Sequence, residues 1–233
     1  MRGKFITFEG GEGAGKSTQV RQLLQRLKRK KIRAVATREP GGTTFGEGIR
    51  RLLLDPDLGD RSELSEMLLF YAARANHLSH LIRPAMETGA WVVCDRFSDS
   101  TRAYQGASGG SLGEAIEVID ALVVQETQPD LTIILDLSPE LGHRRATRRA
   151  YGDINSQSRL FDPDQLAFSF APDRFEGLDL KFHEKVRAGF LKIAAGNPDR
   201  CVVVDASGGI TAVADAIWEV IESRFGTQLS GPL

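Results

Sequence analysis

Cysteine is scarce. Only Cys94 and Cys201 occur in 233 residues, and each lies in an apolar run, WVVC and CVVVD. This excludes a disulfide framework or a cysteine-based zinc site and predicts two buried free thiols. There is no excess of charge of either sign. Thirty Lys+Arg face 31 Asp+Glu, a formal net charge of -1, which excludes a uniformly basic protein that coats polyanions but leaves room for local basic sites. No apolar run approaches the ~18–20 residues a membrane span needs. The opening MRGKFITFEG carries no cleavage pattern, so no secretory signal is expected. Internal repeats and low-complexity linkers are missing too. What remains is a soluble, cytoplasmic chain with neither nucleic acid nor membrane as partner, long enough to bury a sizeable core.

Glycine, by contrast, is plentiful: 24 residues, about 10% against a usual ~7%, with no collagen-like period. The excess must sit in particular loops. Periodicity supplies their setting. Short apolar runs at 4–9, 32–37, 91–95, 131–137 and 201–205 read as strands, and near-continuous apolar character suits a parallel sheet covered on both faces. Helical stretches separate them, at 16–30, 44–54, 62–89, 98–105, 112–127, 138–149, 175–195 and 210–224. Pro84 should break or kink the 62–89 stretch. The alternation predicts an α/β fold, a doubly wound five-stranded parallel sheet, in one domain spanning 1–225. Residues 151–172 form a long irregular insertion within a lid region of about 142–174, and 226–233 reads as a flexible tail.

One glycine cluster carries chemistry. Gly10-Gly11-Glu12-Gly13-Ala14-Gly15-Lys16-Ser17 satisfies G-x-x-x-x-G-K-[ST] and lies directly between a strand and a helix. Glycines let successive N–H groups point into one concavity, and the helix N-terminus adds partial positive charge. Lys16 can reach the β- and γ-phosphates of a nucleoside triphosphate, and the Ser17 hydroxyl can ligate Mg²⁺. No Asn-Lys-x-Asp motif follows, which argues against a guanine-specific switch. Asp95, ending the third strand, is placed to hold Mg²⁺ through water. Asp136 is its rival. Asp95 is preferred because Arg96 follows it and would make an ion pair at the same rim, whereas Asp136 is expected to cap the next helix or order its loop.

Other residues suggest a second pocket. Arg38 and Arg96 follow strands at the P-loop edge, as a bidentate phosphate clamp or as surface ion pairs. Phe70 and Arg74, at i and i+4, share a helix face. They read either as a ring for stacking and a donor for base oxygens, or as a core Phe with a snorkelling Arg. Ser100, Thr101, Tyr104 and Gln105 add polar groups on one helical segment. His77 and His80 are read as a solvated face rather than a metal site. Arg144, Arg145, Arg148 and Arg149 close a helix that leads into the lid, as dipole complements or as arginine fingers.

These pieces together resemble the thymidylate kinase family, P-loop enzymes that convert dTMP to dTDP. The resemblance runs along nearly the whole chain: FEGGEGAGKST (8–18), TREPGGT (37–43), LLFYAAR (68–74), WVVCDRF (91–97), Ser100 with AYQG (103–106), PDLTIILDLSPE (129–140), and DRFE with FHEKVRAGF (173–176, 182–190). It implies a nucleoside monophosphate kinase-like P-loop fold with a lid, ATP as phosphoryl donor, Mg²⁺, dTMP as acceptor and a homodimer. Gly10 to Ser17 with Thr18 then correspond to the ATP phosphate cradle, and Glu12 to an acidic residue near the acceptor sugar and the metal. Arg38 and Arg96 match the holders of the dTMP phosphate. Phe70 matches the ring stacked on thymine, and Arg74 the donor to its carbonyl. Ser100, Thr101 and Gln105 match base-contacting positions, and Tyr104 the ring that crowds the sugar 2′ position. One branch of the family has an arginine inside the P-loop. Gly13 at that position implies the bacterial-type branch, whose lid supplies the arginine. Arg149 is the best match for that residue, with Arg145 near adenine or the phosphates. The 22 residues at 151–172 depart from the family's short lid and bring in Arg159 and Arg174 as alternative lid arginines. Two rivals remain: a kinase for another nucleoside monophosphate or a deoxynucleoside, and a nucleotide-dependent regulatory protein without transferase activity.

Overall fold

The structure, a computed structural model, describes residues 2–107, 112–152 and 179–229. Five parallel strands, β1 (Phe5–Glu9), β2 (Ala34–Arg38), β3 (Trp91–Asp95), β4 (Leu131–Asp136) and β5 (Cys201–Asp205), lie in the order β2-β3-β1-β4-β5. The helices are α1 (Lys16–Arg29), α2 (Thr44–Leu54), α3 (Glu63–His77), α4 (Arg83–Glu87), α5 (Ser98–Ala107), α6 (Gly113–Val124), α7 (Pro139–Gly152), α8 (Leu180–Gly196) and α9 (Ile210–Leu229). This is the expected doubly wound α/β sheet. After β1 the chain moves to one side of the sheet, and after β3 it crosses to the other. The loops leaving β1 and β3 therefore open side by side at the carboxyl edge, where such sheets bind ligands.

Strand alternation divides the core. Ile6, Phe8, Val93, Ile133 and Leu135 face α1 and α9, meeting Val20, Leu23, Leu27, Val213, Ile217 and Ile221. Their neighbours Phe5, Val92 and Cys94 face the other way, onto Leu78, Ile82, Met86 and Phe97. Each large aliphatic side chain so buried contributes about 1.5–3 kcal/mol. Phe5 and Phe97 meet edge-on at 5.0 Å, and Trp91 meets Phe225 at 5.3 Å. Both cysteines are buried free thiols, as expected.

Two expectations change. The break in the 62–89 stretch begins six residues before Pro84, as a π-helical turn at Leu78–Ile82 that joins α3 to α4. Proline has no N–H and crowds the carbonyl four residues back, here His80, and a wider turn accommodates both effects. The flexible tail expected from 226 is helical over its first four residues, because α9 kinks at Phe225 and continues to Leu229, which is buried; residues 230–233 lie outside the described part. Of the insertion at 151–172, Tyr151 and Gly152 continue α7, while residues 153–172, with Arg159 and Arg174, lie outside the described residues.

Candidate active site

The P-loop joins β1 to α1 through three glycines with positive φ, Gly10 (135°), Gly13 (68°) and Gly15 (91°). Side chains cap α2, α3 and α8 through Thr43, Ser62 and Asp179, but the α1 N-cap is Gly15, which offers no side chain. The first N–H groups of α1 therefore open into the loop, as an anion site requires. Lys16 is folded back along this loop, its Nζ donating to the carbonyls of Gly10 (3.1 Å) and Gly11 (2.9 Å). Burial, then the nearby Arg96, lowers its pKa, against the pull of Glu12 and Asp95. Ser17 Oγ donates to Asp95 Oδ2 at 2.5 Å. A side chain at position 13 would run into the Gly142 carbonyl on α7, so this backbone has no room for an arginine there.

Arg96 stands between the loop and α5. Its backbone is left-handed, with φ 71°, and its guanidinium donates to Glu12, to the Tyr104 hydroxyl (3.0 Å), to Ser100 Oγ (3.2 Å) and to the Gly10 carbonyl (3.3 Å). The expected ion pair with Asp95 is replaced by this set: the left-handed turn carries Arg96 toward Glu12, and Asp95 is engaged by Ser17. The Tyr104 hydroxyl also donates to Glu12 (2.6 Å). Burial alone would raise the Glu12 pKa, but Arg96 and Lys16 outweigh it and hold the carboxyl down at about 2. The Tyr104 ring is flanked by Phe182 and Phe190 of α8.

The second pocket turns on Arg74. The i, i+4 pair is inverted relative to a core Phe with a snorkelling Arg. Arg74 is buried, and Phe70 is half-buried over Ile49, Leu53 and Ala73. Arg74 Nε donates to Glu39 Oε2 (2.7 Å) and Nη2 to Thr101 Oγ1 (3.0 Å), while Nη1 is buried with no hydrogen-bond partner among the described residues. Glu39 also meets His77 Nδ1 (3.0 Å), and His77 Nε2 meets Thr37 Oγ1 (2.6 Å). His77 therefore belongs to a buried network and not to a solvated face, because α3 packs that side against the end of β2; His80 is exposed. Gln105 is buried beside Thr101 on α5, and Arg38 binds both carboxylate oxygens of Glu47 at 3.0 and 3.1 Å.

Asp136 does not cap α7. Arg187 of α8 holds both its oxygens, at 2.7 and 2.8 Å. Arg145 donates to the carbonyls of Ala206, Ser207 and Gly208 in the loop after β5. Arg149 lies on α7, with its side chain outside the described part. Sequence reasoning missed Glu9, Glu39 and Arg187 as members of this cluster. A glutamate at the end of a strand that must be buried, as Glu9 is, was the available signal.

A protein that only binds a nucleotide or switches on it has no need of a buried network such as Arg74, Glu39, Thr101 and His77 beside its phosphate cradle. The arrangement defines an ATP-dependent P-loop kinase of nucleoside monophosphates. The family model for thymidylate kinase matches residues 8–217, and the chain belongs to that family. It is 45% identical over 225 residues to a thymidylate kinase of Nitrobacter hamburgensis, covering 96% of this chain and 90% of that one. With a thymidylate kinase of Caulobacter vibrioides the identity is 46%, covering 97% and 99%. The crystal structure of thymidylate kinase from Ehrlichia chaffeensis superposes with a TM-score of 0.70 at 32% identity, covering 95% of this chain and 99% of that one.

Proposed function

We propose that this chain transfers the γ-phosphoryl group of ATP to dTMP, giving dTDP and ADP, as a step in dTTP synthesis. The observation that carries this reading is the guanidinium of Arg74. Two of its nitrogens are fixed by Glu39 and Thr101, and the third is a buried donor without a partner among the described residues. Such a donor calls for a carbonyl oxygen, which thymine offers; an exocyclic amino group in its place would leave donor facing donor. In this reading Phe70 stacks on the base, and Ser100, Thr101 and Gln105 contact its polar edge. Tyr104 crowds the 2′ position, and Arg38 and Arg96 hold the acceptor phosphate.

On the donor side, the backbone of Gly10, Gly11, Glu12, Gly13, Ala14, Gly15, Lys16, Ser17 and Thr18 cradles the ATP phosphates. Arg145, tied to the loop after β5, serves the adenine side, and Arg149 is the arginine of the lid. A phosphate oxygen of dTMP attacks the γ-phosphorus in line, and the bond to the β-phosphate oxygen breaks with ADP leaving. The acceptor phosphate is already ionised, so no general base is required. Lys16, Arg96 and Arg149 neutralise charge, while Glu12 holds Arg96 in place. Mg²⁺ fits this site. The Ser17 hydroxyl and Asp95 carboxylate sit 2.5 Å apart, and the described residues hold no cluster of three His, Cys, Asp or Glu. Ser17 and Asp95 would hold the ion, which would supply charge neutralisation on the phosphates when bound.

The same reading includes a homodimer. Leu64 and Leu68 on α3 and Val118 and Leu122 on α6 are exposed on two helices packed side by side, and a second copy would cover them. Among the described residues no helix is long and apolar enough to cross a membrane, and these substrates fit a cytoplasmic enzyme. The direct test is Lys16→Ala. dTDP formation should fall on the order of 10²-fold or more, as for loss of a charge-stabilising donor. Near wild-type turnover would sink the reading.

A further inference from the structure

We infer that Glu9 is a positioning residue for phosphoryl transfer: one buried carboxyl joins the root of the donor cradle to the turn that aims Arg96 at the acceptor. This rests on the reading that Arg96 and Ser100 face dTMP.

Glu9 is the last residue of β1 and is wholly buried, and Gly10 opens the P-loop immediately after it. Its Oε1 accepts from the backbone N–H of Phe97 at 2.7 Å, and its Oε2 from Ser100 Oγ at 2.5 Å. Phe97 directly follows Arg96, whose φ of 71° is a left-handed conformation that costs a residue with a Cβ about 1 kcal/mol or more. Such strain persists only where the surroundings over-determine it. Here the Arg96 N–H donates to the Phe8 carbonyl at 2.9 Å, and the next N–H is taken by Glu9. Two consecutive amides are thus stitched to two consecutive residues of β1. Without that stitch the strand would have no reason to turn left at Arg96, and the guanidinium would not reach Glu12, Tyr104 and Gly10. Ser100, the other partner of Glu9, itself accepts from Arg96 at 3.2 Å, so the carboxyl braces both ends of the acceptor arginine.

Position matters here because in-line transfer tolerates little misalignment. A displacement of about 1 Å between reacting groups can cost on the order of 10²-fold in rate. Burial, then the neighbouring Asp99, raises the Glu9 pKa to about 8, so near neutral pH the carboxyl is mostly uncharged. Glutamine is then a close replacement, its carbonyl accepting from Phe97 and its amide donating to Ser100.

The test is steady-state kinetics of Glu9→Gln, Glu9→Ala and Glu9→Asp, with dTMP and ATP varied in turn and melting temperatures recorded. Glu9→Ala should lose on the order of 10²-fold in kcat/KM for dTMP while the KM for ATP stays within about threefold of wild type. Glu9→Gln should retain wild-type parameters within about threefold, and Glu9→Asp, too short to span both partners, should resemble Glu9→Ala. If Glu9→Ala does not fold, the contrast between Gln and Asp decides. The inference fails if Glu9→Ala matches wild type, if the ATP and dTMP parameters fall together, or if Asp is tolerated and Gln is not. Wild-type protein that makes no dTDP would instead refute the functional reading on which this rests.

Discussion

Replacing Arg74 with alanine should produce two separable losses, whose sizes follow from how Arg74 is held. Arg74 and Glu39 are 2% and 5% exposed and joined at 2.7 Å, so the substitution strands a buried carboxylate with His77 as its remaining side-chain partner. Removing one partner of a buried ion pair costs about 3–5 kcal/mol, enough to be plain in a urea or thermal unfolding curve. The second loss is the donor to the base. A hydrogen bond from a charged group is worth about 1.5–3 kcal/mol, so kcat/KM for dTMP should drop roughly 10- to 150-fold. The double variant Arg74→Met with Glu39→Gln separates the two. It removes the stranded charge and should recover most of the stability, yet it has no donor to offer the base and should stay impaired with dTMP. Denaturant midpoints and initial rates of ADP formation on the same preparations are the assays. An unchanged midpoint for Arg74→Ala, or recovery of dTMP kinetics in the double variant, would refute this account of the pocket.

Two other predictions concern pH and assembly. Glu12 has its folded pKa held down at about 2 against a usual 4.5, chiefly because Arg96 and Lys16 outweigh burial, so its stabilisation is complete above 4.5 and is lost as pH falls toward 2. Glu9 has the opposite sign. With a folded pKa of about 8 against 4.5, it leaves stability untouched below 4.5, and stability declines as pH rises from 4.5 to 8, by at most about 1.4 kcal/mol per pH unit. Unfolding midpoints measured across this range should lose the acid-side fall in Glu12→Gln and the alkaline-side decline in Glu9→Gln. Unchanged slopes would contradict the assignments. For assembly, Leu68→Asp combined with Leu122→Asp should convert a dimer to a monomer by light scattering, with little effect on the fold of either helix, since both positions face outward. A wild-type protein already monomeric at micromolar concentration would remove the dimer from the account.

The parts of the site legible in the sequence were those with local causes. The P-loop needs only glycine freedom, a strand before it and a helix after it, and residues 10–17 carry all three. Carboxylates at strand ends were legible as a class, but choosing between them depended on tertiary partners. Asp136 gave no local hint that Arg187, 51 positions away, would claim both its oxygens. His77 looked solvent-facing because helical spacing shows which residues share a face but not what that face packs against; α3 lies over the end of β2, so the face carrying His77 and Arg74 is the buried one. The Phe70–Arg74 inversion has the same origin. A guanidinium is buried only when carboxylate and hydroxyl partners surround it, and Glu39 and Thr101 come from β2's loop and from α5. Glu9 ends a strand whose apolar run marks it as buried, which is the one sequence signal for it; its partners, the Phe97 N–H and Ser100 Oγ, come from the turn after β3 and are not local in sequence.

The central claim is that the second pocket selects thymidine monophosphate through a fixed donor while the P-loop delivers the phosphoryl group. Its most direct test is a coupled ATP-to-ADP assay of the purified chain with dTMP, dCMP, dGMP and dAMP at matched concentrations. The account predicts dTDP as the product, with kcat/KM for dTMP exceeding that for dCMP by on the order of 10²-fold or more, because cytosine turns an amino group toward Arg74. Preference for dCMP or dGMP, or ADP release without any nucleoside diphosphate formed from the acceptor, would contradict it.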